Sequence, residues 1–133
     1  MKQIHLFLVV GVICYLLDIL TAGDRYKSCW NLQTQSLLLL HHIFFVFAMM
    51  GWLSTDRTLL KIYCLIIPVT LIHWYFNNDK CAWTQMVNEQ CGTSGGLRTI
   101  FRVMNIGEDW NYRKVQKIWF TFGLIVAIGK LVR

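Results

Sequence analysis

Charge is scarce in this sequence. Only 15% of its 133 residues are Asp, Glu, Lys or Arg, whereas a soluble domain carries about 25%. With 56% hydrophobic residues and a mean hydropathy of +0.45, too little polar surface is left to wrap a water-soluble globule. Proline occurs once, glycine only nine times, and no long polar tract is present, which excludes a disordered or fibrous chain. Enzyme signatures are missing as well. There is no Gly-x-Ser-x-Gly, His-Glu-x-x-His, P-loop or Gly-x-Gly-x-x-Gly pattern, and no two of the five cysteines stand as Cys-x-x-Cys. The stretch from Gly92 to Gly96 has the outline of a phosphate cradle, but no Lys-Ser or Lys-Thr follows it, so it reads as a hinge. The net charge of +6 is spread thinly along the chain. That argues for a lipid bilayer with an anionic surface as partner, and against nucleic acid.

What is present is a set of apolar runs. They cover residues 4–22, 37–53, 59–76 and 115–132, interrupted mainly by His5, Asp18, His41, His42, Lys61, His73, Gln116, Lys117 and Lys130. A hydrocarbon core of about 30 Å needs roughly 20 helical residues, and backbone groups in lipid must be satisfied within the segment. The runs therefore predict an all-α polytopic membrane protein, a single four-helix domain, with lysines at the edges snorkelling outward. The first run has the outline of a signal peptide, but its length and Asp18 favour a retained helix. Residues 77–114 form a cap between helices 3 and 4. Within it Leu97, Ile100, Phe101 and Met104 share one helical face, with Arg98 and Arg102 elsewhere. That spacing suits an amphipathic helix in the interface or a soluble cap on the bundle.

Four spans place residues 1, 54–58 and 133 on one face, A, and the longer connections on the other, B. Face B holds Arg25, Lys27, Lys80, Arg98, Arg102, Arg113, Lys114 and Lys117, the larger share of the basic residues, which favours the cytosol. Cysteines pull the other way. Cys29, Cys81 and Cys91 all fall on face B, where an oxidising compartment would give one disulfide and one free thiol. Cys14 and Cys64 lie inside spans and read as small hydrophobes. The tryptophans near the span ends, Trp74 and Trp83 among them, read as interfacial anchors.

The topology brings Asp18, His41, His42 and His73 to one depth beneath face B. Gly11, Cys14, Asp18 and Thr21 form a small or polar stripe on the first helix, and His41 shares a face with Ala48, so His41 is the expected interior histidine. Ionisable groups in a membrane usually face a bundle interior. Three readings compete for this cluster. It is a polar layer fixing helix register, a divalent-metal site of Asp18, His41 and His73, or part of a proton path. No short metal-ligand spacing supports the second, and no second histidine pair supports haem.

Residues 73–84, HWYFNNDKCAWT, carry a further pattern. His73-Trp74 closes a helix, Asn77, Asn78 and Asp79 form a turn, and Cys81-x-x-Thr84 opens the next segment. This resembles the signature of a family of small, uncharacterised four-helix membrane proteins of bacteria and large DNA viruses. A histidine followed by Gly51-Trp52 in the second helix is similar too, whereas a glutamate expected soon after the threonine is displaced to Glu89. The resemblance extends over roughly residues 37–105 and implies a four-helix membrane fold, with no known activity. The expectation is a structural, assembly or interaction component of a cellular or viral membrane, engaging other membrane proteins or itself. The alternative is a metal-binding or proton-coupled protein using the His/Asp cluster.

Overall fold

The computed structural model describes residues 2–21, 29–92 and 112–133. They form α1 (Lys2–Thr21), α2 (Leu32–Met50) continued by one 3-10 turn (Gly51–Leu53), α3 (Arg57–Phe76), α4 (Ala82–Cys91) and α5 (Tyr112–Val132). Among the described residues there is no strand. Four helices, Gln3–Thr21, Leu32–Leu53, Arg57–Phe76 and Arg113–Val132, are long and apolar enough to cross a membrane. Their outer surfaces are greasy: Leu6, Leu20, Leu65, Phe76, Ile125 and Val132 are all exposed, and only 17% to 33% of each span is buried. A helix in water would turn such side chains inward, and here they cover the flanks.

The helix starts are set by capping. Helix α2 begins at Leu32, not near Leu37, because the Asn31 side chain accepts a hydrogen bond from the Thr34 amide at 2.9 Å. Asp56 caps α3 in the same way, accepting from the amides of Thr58 at 2.8 Å and Leu59 at 3.3 Å. Each cap satisfies donors that a helix otherwise leaves orphaned. Pro68 sits inside α3 without ending it.

Helix α2 is the centre of the arrangement. Along one flank α1 runs antiparallel, with Phe7 edge-on to Phe47 at 5.5 Å and Gly11 over Ile43. On the other side, α3 and α5 pack on each other and on the face-A half of α2. Their core holds Ala48, Leu60, Tyr63, Ile67, Trp74, Phe120 and Ala127. The Tyr63 hydroxyl donates to the Ala48 carbonyl at 3.1 Å, so this buried hydroxyl is satisfied. The expected face-B segment proves partly helical: α4 packs antiparallel along the face-B half of α2, with Trp83 against Phe44 and His41, Val87 near Leu38, and Gln90 on Thr34. The expected amphipathic helix around Leu97, Ile100, Phe101 and Met104 lies outside the described residues, as do Arg98 and Arg102.

At face A the helix ends are tied by hydrogen bonds. The Gln3 side-chain carbonyl accepts from the Ser54 hydroxyl at 2.5 Å and the Thr55 amide at 3.1 Å, and its amide donates to the Thr55 hydroxyl at 2.8 Å. Lys130 donates to the carbonyl of Trp52 at 2.9 Å, and Arg57 to that of Leu131 at 2.8 Å. Thus α1, α3 and α5 all meet the connection that follows α2.

Close approach makes Gly11 a test of the α1–α2 contact. A Cβ built there would lie 2.7 Å from the Ile43 Cα, a backbone atom that cannot rotate away, whereas at Gly129 it would meet nothing within 4 Å. Gly11→Ala should therefore destabilise the detergent-solubilised protein by about 1–3 kcal/mol, the usual cost of overpacking. Gly129→Ala should leave the thermal midpoint within error, and equal midpoints for the two variants would contradict this contact.

Candidate functional site

Among the described residues, four of the five buried polar ones gather toward face B, on the α1–α2 and α2–α4 seams, and the fifth, Ser54, lies at face A. Asp18, Thr34, His41 and His42 are all buried. On α1, the stripe of Gly11, Cys14 and Asp18 does face its neighbour, while Thr21 is exposed and donates back to the Leu17 carbonyl at 2.7 Å. The His42 ring is fixed by its own helix: Nδ1 is 2.7 Å from the Leu38 carbonyl, which can only accept, so Nδ1 carries a proton. Its other nitrogen, Nε2, lies 3.5 Å from Asp18 Oδ2, with both side chains 1% exposed. Tyr15 completes this side, standing edge-on to His42 and donating to the Gln35 side-chain carbonyl at 2.8 Å.

His41 belongs to a different pocket. It points toward α4, with Nε2 3.7 Å from Cys81 Sγ and its ring edge-on to Trp83. The two adjacent histidines are thus both buried, each against a different neighbour. His41 is an interior histidine, as expected from its shared face with Ala48, but it faces α4, and His42, about 100° round the helix, is interior too and faces α1. A single interior face was assumed for helix 2, whereas α1 and α4 each cover one.

His73 does not join them. It is exposed, and the contact it makes is with the Asn77 side-chain amide at 3.5 Å. The inward position is occupied by its neighbour Trp74, buried and stacked on Phe120 at 5.4 Å. Trp74 is therefore a core residue and not a lipid-surface anchor, and Trp83 is likewise turned inward onto Phe44 and His41. Among the described residues, no group of three or more His, Cys, Asp or Glu could hold a metal ion. The set Asp18, His41 and His73 is not assembled.

The corner after α3 is built from its asparagines. Asn78 and Asp79 adopt positive φ of 51° and 61°, a conformation these short polar residues tolerate best after glycine. The Asn77 amide donates to the Lys80 carbonyl at 2.9 Å and the Gln85 side chain at 2.7 Å. Asp79 also pairs with Lys117 at the start of α5, an exposed ion pair worth at most about 1 kcal/mol. The corner delivers Cys81 to His41 and points α4 along α2. At the far end of α4, Cys91 is disulfide-bonded to Cys29, with a Cα–Cα distance of 4.9 Å and both residues buried. Cys14, Cys64 and Cys81 are free.

Hydropathy alone could not locate Tyr15, Thr34, Gln35, Gln90, Gln3 or Ser54 in these contacts. The available signal was Asn31, an N-cap residue type ahead of the second apolar run, which marks the start of α2 and places Thr34 and Gln35 within the helix. Comparison with protein-family models, with curated proteins and with solved structures finds no match to this chain.

The Asp18–His42 contact can be weighed by a double-mutant cycle. His42→Leu removes one partner of a buried pair, a change that costs about 3–5 kcal/mol in soluble proteins. Together with Asp18→Leu and the double variant, it should give a coupling energy of about 0.5–3 kcal/mol in reversible unfolding. Additive effects would show that the pair does not couple α1 to α2.

Proposed function

We propose that the chain is a multi-pass integral membrane protein with a structural role, an assembly or interaction component of a cellular or viral membrane. The observation that carries this reading is where the polar groups are spent. At face A, Gln3, Ser54, Thr55, Arg57 and Lys130 tie helix ends together. At face B, Asp18 meets His42 and Thr34 meets Gln90. Between them lies an apolar core of Ala48, Leu60, Ile67, Phe120 and Ala127. Polar groups placed this way fix helix register, whereas conduction needs them along a path. The four-helix fold implied by the resemblance at His73–Thr84 agrees with this reading.

A proton-coupled role is the second reading, and one observation favours it: the ionisable side chains of Asp18 and His42 lie 3.5 Å apart in a site with 1% side-chain exposure. Reconstitution into liposomes loaded with a pH-sensitive dye separates the two. A structural protein should leave the proton leak under an imposed gradient equal to that of protein-free vesicles. A flux above that level, abolished by Asp18→Asn, would replace the structural reading with the proton-coupled one.

The Cys29–Cys91 bridge also bears on orientation. It favours face B in an oxidising compartment, against the greater number of Lys and Arg residues on that face. The basic excess comes mainly from the longest connection, where the charge rule is weaker. In sealed, right-side-out vesicles or cells, a membrane-impermeant maleimide should therefore label Cys81 from the exterior or lumenal side. Labelling only from the cytosolic side would reverse the topology.

A further inference from the structure

We propose that the Cys29–Cys91 bridge is a reversible redox latch on α4. Oxidised, it holds α4 down on α2; reduced, it lets α4 swing out about the Asn77–Asp79 corner while the spans stay packed. Neither the structural role proposed above nor the membrane orientation is needed for this.

Helix α4 has little of its own to keep it in place. It is ten residues long and includes Thr84, Gln85, Asn88, Glu89 and Gln90, and helices shorter than about 12–15 residues are marginal in water. The Cys81 side chain at its N-cap makes no capping bond. Of the two residues that α4 buries, Val87 and Cys91, one belongs to the bridge itself. Beyond the bridge, α4 meets α2 through Trp83 on Phe44 and His41, Val87 near Leu38, and the Thr34–Gln90 hydrogen bond. Undocking α4 therefore also melts it.

Its two ends differ in kind. The near end is set by local bonds, from the Asn77 side chain to the Lys80 carbonyl and to Gln85 in the first turn. Those bonds survive reduction and make the corner a hinge. The far end is tied to residue 29, 62 positions away in the sequence, by a covalent bond that reduction removes. The rest of the bundle does not depend on α4. The core of Ala48, Leu60, Tyr63, Ile67, Trp74, Phe120 and Ala127 contains no residue of it, and neither does the cluster of Phe7, Val46 and Leu59. What the latch covers is a strip of α2, Thr34, Leu38 and His41, at i, i+4 and i+7 and all buried.

The reductant is a dithiol. One of its thiolates attacks a sulfur of the bridge, the S–S bond breaks, and a mixed disulfide forms. The second thiol then attacks that mixed disulfide, so Cys29 and Cys91 end as thiols and the dithiol as a disulfide. Two electrons and two protons pass to the protein. The bridge is buried, with Cys29 4% and Cys91 6% exposed, but Cys91 is the last residue of α4, and helix ends open first.

The test is hydrogen–deuterium exchange with mass spectrometry on the full chain in detergent micelles, before and after dithiothreitol. Peptide masses confirm that the bridge has been reduced. Amides of α4 should then exchange about tenfold faster or more, most strongly toward Cys91, while α1, α3 and α5 stay within about twofold of their oxidised rates. Replacing dithiothreitol by glutathione disulfide should re-form the Cys29–Cys91 bridge and restore the protection of α4. The double variant Cys29→Ser, Cys91→Ser should show the reduced pattern without any reductant. Unchanged protection of α4 after confirmed reduction would overturn the proposal. So would a loss that spreads to α3 and α5, which makes the bridge a staple of the whole fold, or a loss that reoxidation does not reverse. These outcomes are read on the wild-type chain and need no variant to fold.

Discussion

Inside a hydrocarbon slab, burying leucine against leucine releases no water, so apolar area alone does not choose one helix partner over another. Close backbone approach and polar ties must make that choice, and here both converge on α2. Gly11 lets α1 come down onto Ile43, and a few turns further along Asp18 meets His42. On other faces of the same helix, His41 meets Cys81 and the Ala48 carbonyl receives the Tyr63 hydroxyl. The surrounding helices are placed by what α2 offers them. Their outer flanks are left to generic apolar side chains such as Leu6, Leu65 and Ile125.

Much of this was legible in the sequence because hydropathy and length suffice for it. Scarce charge and four apolar runs define an all-α chain with four helices able to cross a membrane, and the observed spans differ from the expected ones mainly at their starts. Those starts were missed because hydropathy discounts the polar segment from Asn31 to Ser36 and the Asp56-Arg57-Thr58 step. Capping residues are polar by necessity, so a hydropathy boundary falls inside the true helix. The depth of the polar cluster was also legible, since antiparallel connectivity alone brings Asp18 and the residues of α2 to one end.

What the sequence could not reveal was direction around the helix axis. Whether His41 or His42 faces α1, and whether His73 or Trp74 faces inward, depends on how many neighbours each helix has. Helix α4 has little hydropathic signal, with Gln85, Asn88, Glu89 and Gln90 in ten residues. Yet it covers a whole side of α2, and its Trp83 and Val87 turn His41 and Leu38 into interior residues. With that helix unseen, three histidines and one aspartate resembled a single ligand set. With it in place they separate into a buried aspartate–histidine pair, a thiol–imidazole pair and an exposed histidine.

The disulfide gives this division its physical sense. Helix α4 is short and mostly polar, so neither hydrophobic burial nor intrinsic helix stability would hold it along α2 strongly. It is pinned at both ends: the Asn77–Asp79 corner fixes where it begins, and the Cys29–Cys91 bridge fixes where it ends. The cover over His41 therefore depends in part on a covalent bond that holds only under oxidising conditions. Reduction would release the far end of α4, loosen the Thr34–Gln90 contact and weaken the cover over His41, while leaving Asp18 and His42 clasped between α1 and α2. The two polar sites thus differ in what sustains them: one is held by helix packing alone, the other by packing that the compartment's redox state must maintain.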